Sequence, residues 1–172
     1  MKRIVICCDG TWNSPDNKID GLPVKTNVAK MANAVLTSST GVKQMMFYEP
    51  GVGTHGRWLR RLIDGATGNG LSANMLNAYR YLVHNYEAGD ELFLFGFSRG
   101  AFTVRTLAGM IRNCGILRPN AIDKVEQGFK LYSSRTLRSH PRLIESTLFR
   151  RSYAVDDITP IKFIGVWDTV GA

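Results

Sequence analysis

Short continuous apolar runs alternate with stretches of helical spacing along the 172-residue sequence. Continuous apolar runs of about four to eight residues, bounded by turn residues, are typical of strands buried on both faces of a parallel sheet. Such runs predict strands at residues 3–8, 44–48, 92–95 and 161–167. Apolar positions at helical spacing predict helices at residues 28–36, 71–86, 101–111 and 121–132. The stretch 133–151 is predicted to be loop and short helix.

The order of these elements predicts the fold class. Strands alternating with helices indicate parallel strands that are joined by right-handed crossovers. We therefore expect an α/β fold with a mostly parallel sheet of about four strands and helices on both faces, in a single domain over residues 1–172. Because the last strand ends close to Ala172, we expect the sequence to be the N-terminal portion of that domain.

Composition and charge narrow the class of protein. The sequence is 44% hydrophobic and 21% charged, which is typical of a globular protein and not of a disordered one. The formal net charge is +8, and residues 99–151 contain eleven Lys and Arg against three acids, while the rest carries eleven of each. This basic segment predicts attraction to an anionic membrane surface. A solvated helical surface explains it equally well. No aromatic stacking pattern accompanies the charges, so no nucleic acid is expected.

The three cysteines predict buried free thiols. Cys7 and Cys8 are adjacent in a predicted strand, so their side chains point to opposite faces and cannot easily bridge each other. Together with Cys114 they fit no metal-site spacing. Free buried thiols are typical of a reducing compartment. We expect neither a metal nor another cofactor. The run at residues 51–56 matches the dinucleotide pattern G-x-G-x-x-G, but the acidic strand end required about 20 residues later is missing.

The predicted strand at residues 92–95 leads into the pattern Gly-x-Ser-x-Gly around Ser98, and a predicted helix follows. This context is typical of a nucleophile elbow, in which Gly96 and Gly100 let strand and helix pack closely. The start of the helix would direct unpaired N–H groups towards an oxyanion beside Ser98. The alternative is that Ser98 is only the N-cap of the helix. The strand, the helix and both glycines together favour the nucleophile.

A serine nucleophile needs a base, usually a histidine that a carboxylate orients. In hydrolases with this elbow the chain order is Ser, then Asp or Glu, then His. Asp168 follows the next predicted strand and fits the second position, although a turn or N-cap aspartate is the alternative. The predicted oxyanion donors are the N–H of Arg99 and an N–H of Gly10 or Thr11, after the first strand.

A histidine in the third position is missing from the sequence. The histidines are His55, His84 and His140, and all precede the candidate aspartate. His84 lies in a predicted helix and is predicted to be structural, and His140 lies in the irregular basic stretch. His55 lies in the glycine-rich run at 51–56 and is the one that could approach Ser98. We expect instead that the catalytic histidine lies beyond the last residue of this sequence.

Four motifs in order carry a resemblance to a known family: IVICCDGTWN, YEPGVGT, GDELFLFGFSRGAFTVRTLAGMI and IKFIGVWDTVGA. Together they resemble the uncharacterised α/β-hydrolase domain family that includes phospholipase effectors of the type VI secretion system. The resemblance implies an α/β-hydrolase fold and a metal-free serine esterase or phospholipase reaction, with Ser98 as nucleophile and Asp168 as the acidic residue. It also implies that the turn at residues 9–11 lies beside the active site. The protein is then expected to be cytoplasmic or exported without a signal peptide.

Two functions of other classes are left open by the residues. A strand that ends in Asp-Gly-Thr is also found in aspartate phosphatases, but their nucleophile would need an Asp two residues before Asp9, where this sequence has Cys7. Magnesium-dependent release of phosphate would indicate that reaction. The other alternative is a catalytically inactive module whose basic face binds anionic membranes. Vesicle binding by a protein that a fluorophosphonate does not label would indicate that module.

Overall fold

The computed structural model describes residues 1–10, 18–19, 22–39, 41–51, 69–134 and 136–171. Within these ranges the strands are β1 (Arg3–Cys8), β2 (Lys18–Ile19), β3 (Leu22–Pro23), β4 (Ser38–Ser39), β5 (Val42–Glu49), β6 (Glu91–Phe97) and β7 (Phe163–Trp167). The helices are α1 (Asn27–Ala34), α2 (Asn69–Asn85), α3 (Arg99–Cys114), α4 (Val125–Ser133) and α5 (Ile144–Tyr153), with a 3₁₀ helix at Pro119–Lys124.

The main sheet has the strand order β4-β5-β1-β6-β7. The pairs β5–β1, β1–β6 and β6–β7 are parallel, and the short β4 is antiparallel to β5. Cys8 of β1 lies opposite both Glu49 and Gly96, and Phe97 lies opposite Trp167. The carboxyl ends of these parallel strands therefore meet at one edge of the sheet. The predicted fold class is confirmed.

Helices cover both faces of the sheet because successive strand residues point to opposite sides. One face packs mainly against α2 and α3 and forms the larger core, with Ile4, Ile6, Leu92 and Leu94 from the strands and Tyr79, Leu82, Val104 and Leu107 from the helices. The other face packs against α1 and contains Val5, Cys7 and Phe95 from the strands and Val28 and Ala32 from the helix. In the part of the chain that the structure describes, no helix is both long and apolar enough to cross a bilayer.

The predicted elements agree with the structure in type and differ at their ends. The predicted helix at 121–132 is divided into the 3₁₀ helix and α4. The stretch 133–151, predicted as loop and short helix, contains most of α5. Arg150 of this helix is buried, and its guanidinium contacts Asp157 at 2.9 Å and donates to the carbonyl oxygen of Asn113 at 3.0 Å. These are long-range contacts that a local pattern does not contain.

An ion pair closes the amino edge of the sheet. The Asp90 side chain is 1% exposed, and its Oδ2 lies 2.6 Å from the Nζ of Lys2. Asp90 also accepts hydrogen bonds from the backbone N–H of Lys2 at 2.8 Å and of Glu87 at 2.9 Å. Next to it, the carboxylate of Glu91 contacts Arg3 at 3.1 Å and Lys162 at 3.0 Å. The carboxylates of Asp90 and Glu91 are therefore each paired with a cation.

Candidate active site

Ser98 lies between β6 and α3 in a backbone conformation that residues with a Cβ rarely adopt. Its φ is 53° and its ψ is −119°. A non-glycine residue in such a region costs of the order of 1–3 kcal/mol, and such residues cluster at functional sites. Among the described residues, Asp168 is the other non-glycine residue with a positive φ, at 45°. Both candidate catalytic residues therefore have a positive φ, which Asp tolerates better than Ser.

Two glycines allow this turn to form. A Cβ at Gly96 would lie 2.6 Å from the Cα of Ala101. A Cβ at Gly100 would lie 2.1 Å from the carbonyl oxygen of Cys8 and 2.5 Å from that of Asp9. These neighbours are backbone atoms, which cannot turn aside as a flexible side chain can. The glycines therefore let α3 begin directly against the end of β1, which is the close approach that the Gly-x-Ser-x-Gly pattern predicts.

The hydroxyl of Ser98 does not cap the helix that it precedes. Ser98 occupies the N-cap position of α3, but its side chain makes no capping hydrogen bond. Its carbonyl oxygen accepts the N–H of Phe102 at 3.3 Å. The N–H of Arg99, as the first residue of α3, has no partner within the helix. The positive end of the helix dipole lies at the same point, so the start of α3 can stabilise an anion beside Ser98.

The backbone joins the turns that contain Ser98 and Asp168. The N–H of Ser98 donates to the carbonyl oxygen of Trp167 at 2.9 Å, and the N–H of Val170 donates to the carbonyl oxygen of Ser98 at 3.3 Å. Ser98 is half-buried and Asp168 is exposed. Among the described residues, neither of these two side chains makes a hydrogen bond. The structure thus brings the predicted nucleophile and the predicted acid to neighbouring strand ends.

Asp9, at the end of β1, is buried and holds the adjacent strand and helix together. It is 5% exposed. Its Oδ2 accepts hydrogen bonds from the hydroxyls of Thr26 and Tyr48, each at 2.7 Å. Thr26 Oγ1 also caps α1 by accepting the N–H of Ala29 at 3.0 Å. Burial, together with the bond to Asp9, raises the pKa of the Tyr48 phenol, so this group stays protonated and donates. Asp9 therefore links β1, β5 and α1.

Asp9 thus has a supporting role that the sequence motifs did not predict. The role could have been predicted from the single carboxylate at the end of an otherwise apolar strand, because a buried carboxylate needs hydrogen-bond partners. Its other oxygen, Oδ1, accepts the N–H of Gly10 at 2.8 Å. The amide of Gly10, a predicted oxyanion donor, is therefore engaged with Asp9 in this structure. Thr11, the other candidate in this turn, lies outside the described residues.

Neither described histidine is close to Ser98. His84 is exposed near the end of α2, which leads through Asp90 into the amino end of β6, and β6 separates that edge from Ser98 by about 20 Å. The exposed side chain of His84 does not fit the structural role expected of it. His140 is also exposed and follows Ser139, whose carbonyl oxygen accepts the Asn113 side chain at 2.8 Å. His140 thus lies at the far end of α3. His55 lies outside the described residues.

The cysteines do not offer a competing nucleophile. Cys7, Cys8 and Cys114 are free and buried, as predicted. Burial raises the pKa of the Cys7 thiol to about 12 and that of the Cys114 thiol to about 12. A thiol needs to be deprotonated to act as a nucleophile, so these groups are inert at neutral pH. No group of three or more His, Cys, Asp and Glu side chains within the described ranges could hold a metal ion.

A mostly parallel sheet, a serine at a strained strand-to-helix turn and an acid after the neighbouring strand define a protein of the α/β-hydrolase class. The profile of the type VI secretion system phospholipase effector Tle1-like catalytic domain matches residues 2–172. The chain belongs to this family, which confirms the resemblance carried by the four sequence motifs.

A second comparison matches almost the whole chain to a yeast protein. An uncharacterized protein of Saccharomyces cerevisiae is 31% identical over 189 residues, an alignment that covers 99% of this chain and 27% of the relative. The chain therefore spans about a quarter of the length of that protein. No solved structure matches the chain significantly.

Proposed function

We propose that this chain carries the catalytic serine of a lipid-ester hydrolase that cleaves carboxylic esters, with phospholipids as the substrate class. The observation that carries the proposal is the strained Ser98 turn, because a serine with a positive φ at the start of a helix, with a hydroxyl that does not cap, is otherwise a cost in stability. Membership in a family of phospholipase catalytic domains supports the choice of lipid esters.

The proposed reaction is acyl transfer in two steps. Ser98 Oγ attacks the ester carbonyl carbon, and its proton passes to a base. The N–H of Arg99 stabilises the tetrahedral oxyanion together with an N–H of the turn after β1, either that of Thr11 or that of Gly10 once it leaves the Asp9 carboxylate. The alcohol then leaves with a proton, and water releases the acyl group from Ser98. Asp168 is assigned to orient the base, which we assign to a histidine outside these 172 residues, in a Ser-Asp-His triad.

The site of lipid contact and the location of the protein are also proposals. We assign contact with an anionic membrane to the basic segment 99–151, on the grounds of its charge excess. The protein is proposed to be cytoplasmic or exported by a secretion system that needs no signal peptide, which the description of the family supports. No observation favours a phosphatase that uses Asp9, since both oxygens of this buried carboxylate accept hydrogen bonds.

Substitution of the two candidate residues in the full-length protein tests the reaction. Ser98→Ala is expected to abolish fluorophosphonate labelling and to lower the turnover of p-nitrophenyl esters about a thousand-fold or more. Asp168→Asn is expected to lower turnover strongly with little effect on folding, because Asn tolerates a positive φ as Asp does. Mass spectrometry of the labelled wild-type protein should locate the probe on Ser98.

The matched control is Ser134→Ala, which removes the hydroxyl of an exposed serine distant from the elbow. This variant should keep full labelling and turnover. Turnover retained by Ser98→Ala would remove this serine from the mechanism. A well-folded wild-type protein that binds vesicles but takes up no label would instead indicate the catalytically inactive membrane-binding module.

A further inference from the structure

Several exposed large apolar side chains are close together in sequence at the junction of α4 and α5, while others, such as Ile158 and Phe163, are exposed elsewhere. Leu137 is 86% exposed, and Leu143, Ile144 and Leu148 are also exposed. Exposed cations occur in the same stretch, and together these residues define the α4–α5 surface: Lys130, Leu137, Arg138, Arg142, Leu143, Ile144, Leu148 and Arg151. Clustered exposed apolar residues usually mark a binding surface.

The exposed face of α5 is apolar at positions that a solvated helix would fill with polar residues. Ile144 and Leu148 are four residues apart and therefore lie on the same side of the helix, with Arg151 one turn further. The opposite side of α5 is buried and carries Phe149 and Arg150. α5 is thus packed on its inner face and still presents aliphatic side chains outwards.

The cations of the α4–α5 surface have no acidic partners among the described residues. Residues 127–153 contain six Lys and Arg and one acid, Glu145. Arg150 is buried and paired with Asp157, whereas none of the ion pairs between described residues involves the four exposed cations of this surface. Four unpaired cations against one carboxylate leave a local positive potential.

A cleft between α4 and α5 brings the two kinds of side chain together. Its volume is about 670 Å³. Lys130 and Arg138 line it together with Leu131, Leu148 and Phe149. Two cations and one exposed aliphatic side chain of the α4–α5 surface, Lys130, Arg138 and Leu148, therefore border the same cleft, which Glu145 also lines.

We infer that the α4–α5 surface docks on an anionic phospholipid membrane. Aliphatic side chains that enter the headgroup region, combined with cations that attract anionic lipids, are the two contributions that hold interfacial proteins on membranes. The positive charge of the α4–α5 surface favours an anionic membrane over an uncharged apolar partner. The inference rests on the proposed function for its choice of a lipid partner. It assigns membrane contact to the eight residues of the α4–α5 surface and no longer to the whole basic segment 99–151.

The docking surface and the candidate nucleophile lie at opposite ends of α3. The carbonyl oxygen of Ser139 accepts the side chain of Asn113, and the hydroxyl of Ser146 donates to the same side chain at 2.8 Å. Asn113 is about 20 Å along the helix from Ser98. Docking should therefore affect how the protein reaches vesicles and should leave the chemistry of Ser98 unchanged.

Vesicle sedimentation of the full-length protein in a Ser98→Ala background tests the inference without lipid hydrolysis. Phosphatidylcholine vesicles that contain phosphatidylserine should bind the protein, pure phosphatidylcholine vesicles should not, and added salt should weaken binding. Arg138→Glu with Arg142→Glu should lower binding about tenfold or more. Leu143→Ser with Leu148→Ser should also lower binding. The matched controls Lys25→Glu with Lys43→Glu, and Leu36→Ser, alter exposed residues elsewhere and should bind normally.

Several results would overturn the inference. These are equal binding to both kinds of vesicle, no binding to either, and control variants that lose as much binding as the surface variants. A dimer in light scattering that Leu143→Ser with Leu148→Ser dissociates would assign the surface to a second copy of the chain instead.

A separate readout distinguishes failure of the inference from failure of the proposed reaction. With Ser98 intact, the surface variants should keep fluorophosphonate labelling and turnover of soluble esters, and should lose turnover of vesicle lipids. Binding to vesicles without Ser98 labelling would refute the reaction and leave the docking surface standing.

Discussion

The two edges of the parallel sheet hold a buried aspartate in different ways. At the amino edge, Asp90 contacts the ammonium group of Lys2 at 2.6 Å. At the carboxyl edge, the described partners of the Asp9 side chain are two hydroxyls and one backbone N–H. The amino edge therefore neutralises its buried charge with a cation, while the carboxyl edge solvates its buried charge with neutral donors.

The two edges also differ in how they use strained backbone. At the amino edge the positive φ, 87°, belongs to Gly89, which adopts it without steric cost. At the carboxyl edge, positive φ occurs at Ser98 and Asp168, which both carry a Cβ. The amino edge is thus relaxed and the carboxyl edge is strained. Strained residues cluster at functional sites, so the difference supports the candidate site at the carboxyl edge by an observation that the sequence motif does not contain.

Asp9→Asn should have the largest effect on stability among substitutions that test this comparison. The Asn side chain keeps one acceptor oxygen and places an NH2 group where Asp9 has the other, so at least one of the three donors loses its acceptor, and bonds to a charged acceptor are worth more than neutral ones. We expect a loss of about 3 kcal/mol in the free energy of unfolding. Urea unfolding measures this loss. Fluorophosphonate labelling of Ser98 should also slow, because Asp9 holds the turn beside it.

Tyr48→Phe is the graded control for Asp9→Asn. It removes one donor to Asp9 and should cost about 1 kcal/mol. If Asp9→Asn has the stability of the wild-type protein, Asp9 does not support the carboxyl edge in the way described.

Asp90→Asn should cost about 2 kcal/mol and should depend on pH. Burial alone would raise the pKa of Asp90, but the hydrogen bonds from the Lys2 side chain and from the backbone of Glu87 and Lys2 lower it overall. A carboxyl with a lowered folded-state pKa stabilises the protein fully above its unfolded pKa, near 4, and loses that contribution as the pH falls through the folded value.

The stability difference between the wild-type protein and Asp90→Asn should therefore be largest at neutral pH and shrink in acid. Unfolding curves recorded from pH 7 down to pH 3 would show it. Ester turnover should not change, because Asp90 lies at the amino edge. A difference that grows in acid would contradict the assigned sign, and lost turnover would contradict the separation of the two edges.

Ser98→Gly should have the smallest effect on stability and should act in the opposite direction. Glycine adopts φ 53° without the steric cost that serine carries, and this gain exceeds the entropy that glycine loses on folding. We expect a gain of about 1 kcal/mol together with complete loss of activity. Ser98→Ala is the matched control, since it loses the hydroxyl but keeps the Cβ. Equal melting temperatures for the two variants would show that the turn is not strained.

The sequence predicts the elbow well because its determinants are local. The strand, the two glycines and the helix around Ser98 lie within about twenty consecutive residues, and their spacing alone limits the backbone. The family resemblance followed from motifs of the same kind. The exact ends of α4 and α5 were less predictable. Arg150 looks like a surface residue in the sequence, but Asp157 and the carbonyl of Asn113 hold it in a buried position.

The support around the site could not be predicted because it depends on residues far apart in the chain. Tyr48 and Thr26 donate to Asp9 from 39 and 17 residues away. Neither the hydrophobic periodicity nor a short sequence motif indicates which distant side chains the sheet and α1 bring together. The position of Ser98 and Asp168 at neighbouring strand ends was predictable only from the fold, since it depends on β6 and β7 being neighbours in the sheet.

The main-chain hydrogen bond from Ser98 to Trp167 has a consequence for how such proteins can diversify. Because peptide groups fix the relative position of the hydroxyl-bearing and acid-bearing turns, that position does not require particular side chains at the flanking residues Phe97 and Trp167, which pack against the α1 face of the sheet. Related chains can therefore fill this face with other apolar side chains and still inherit the same main-chain alignment of the two turns.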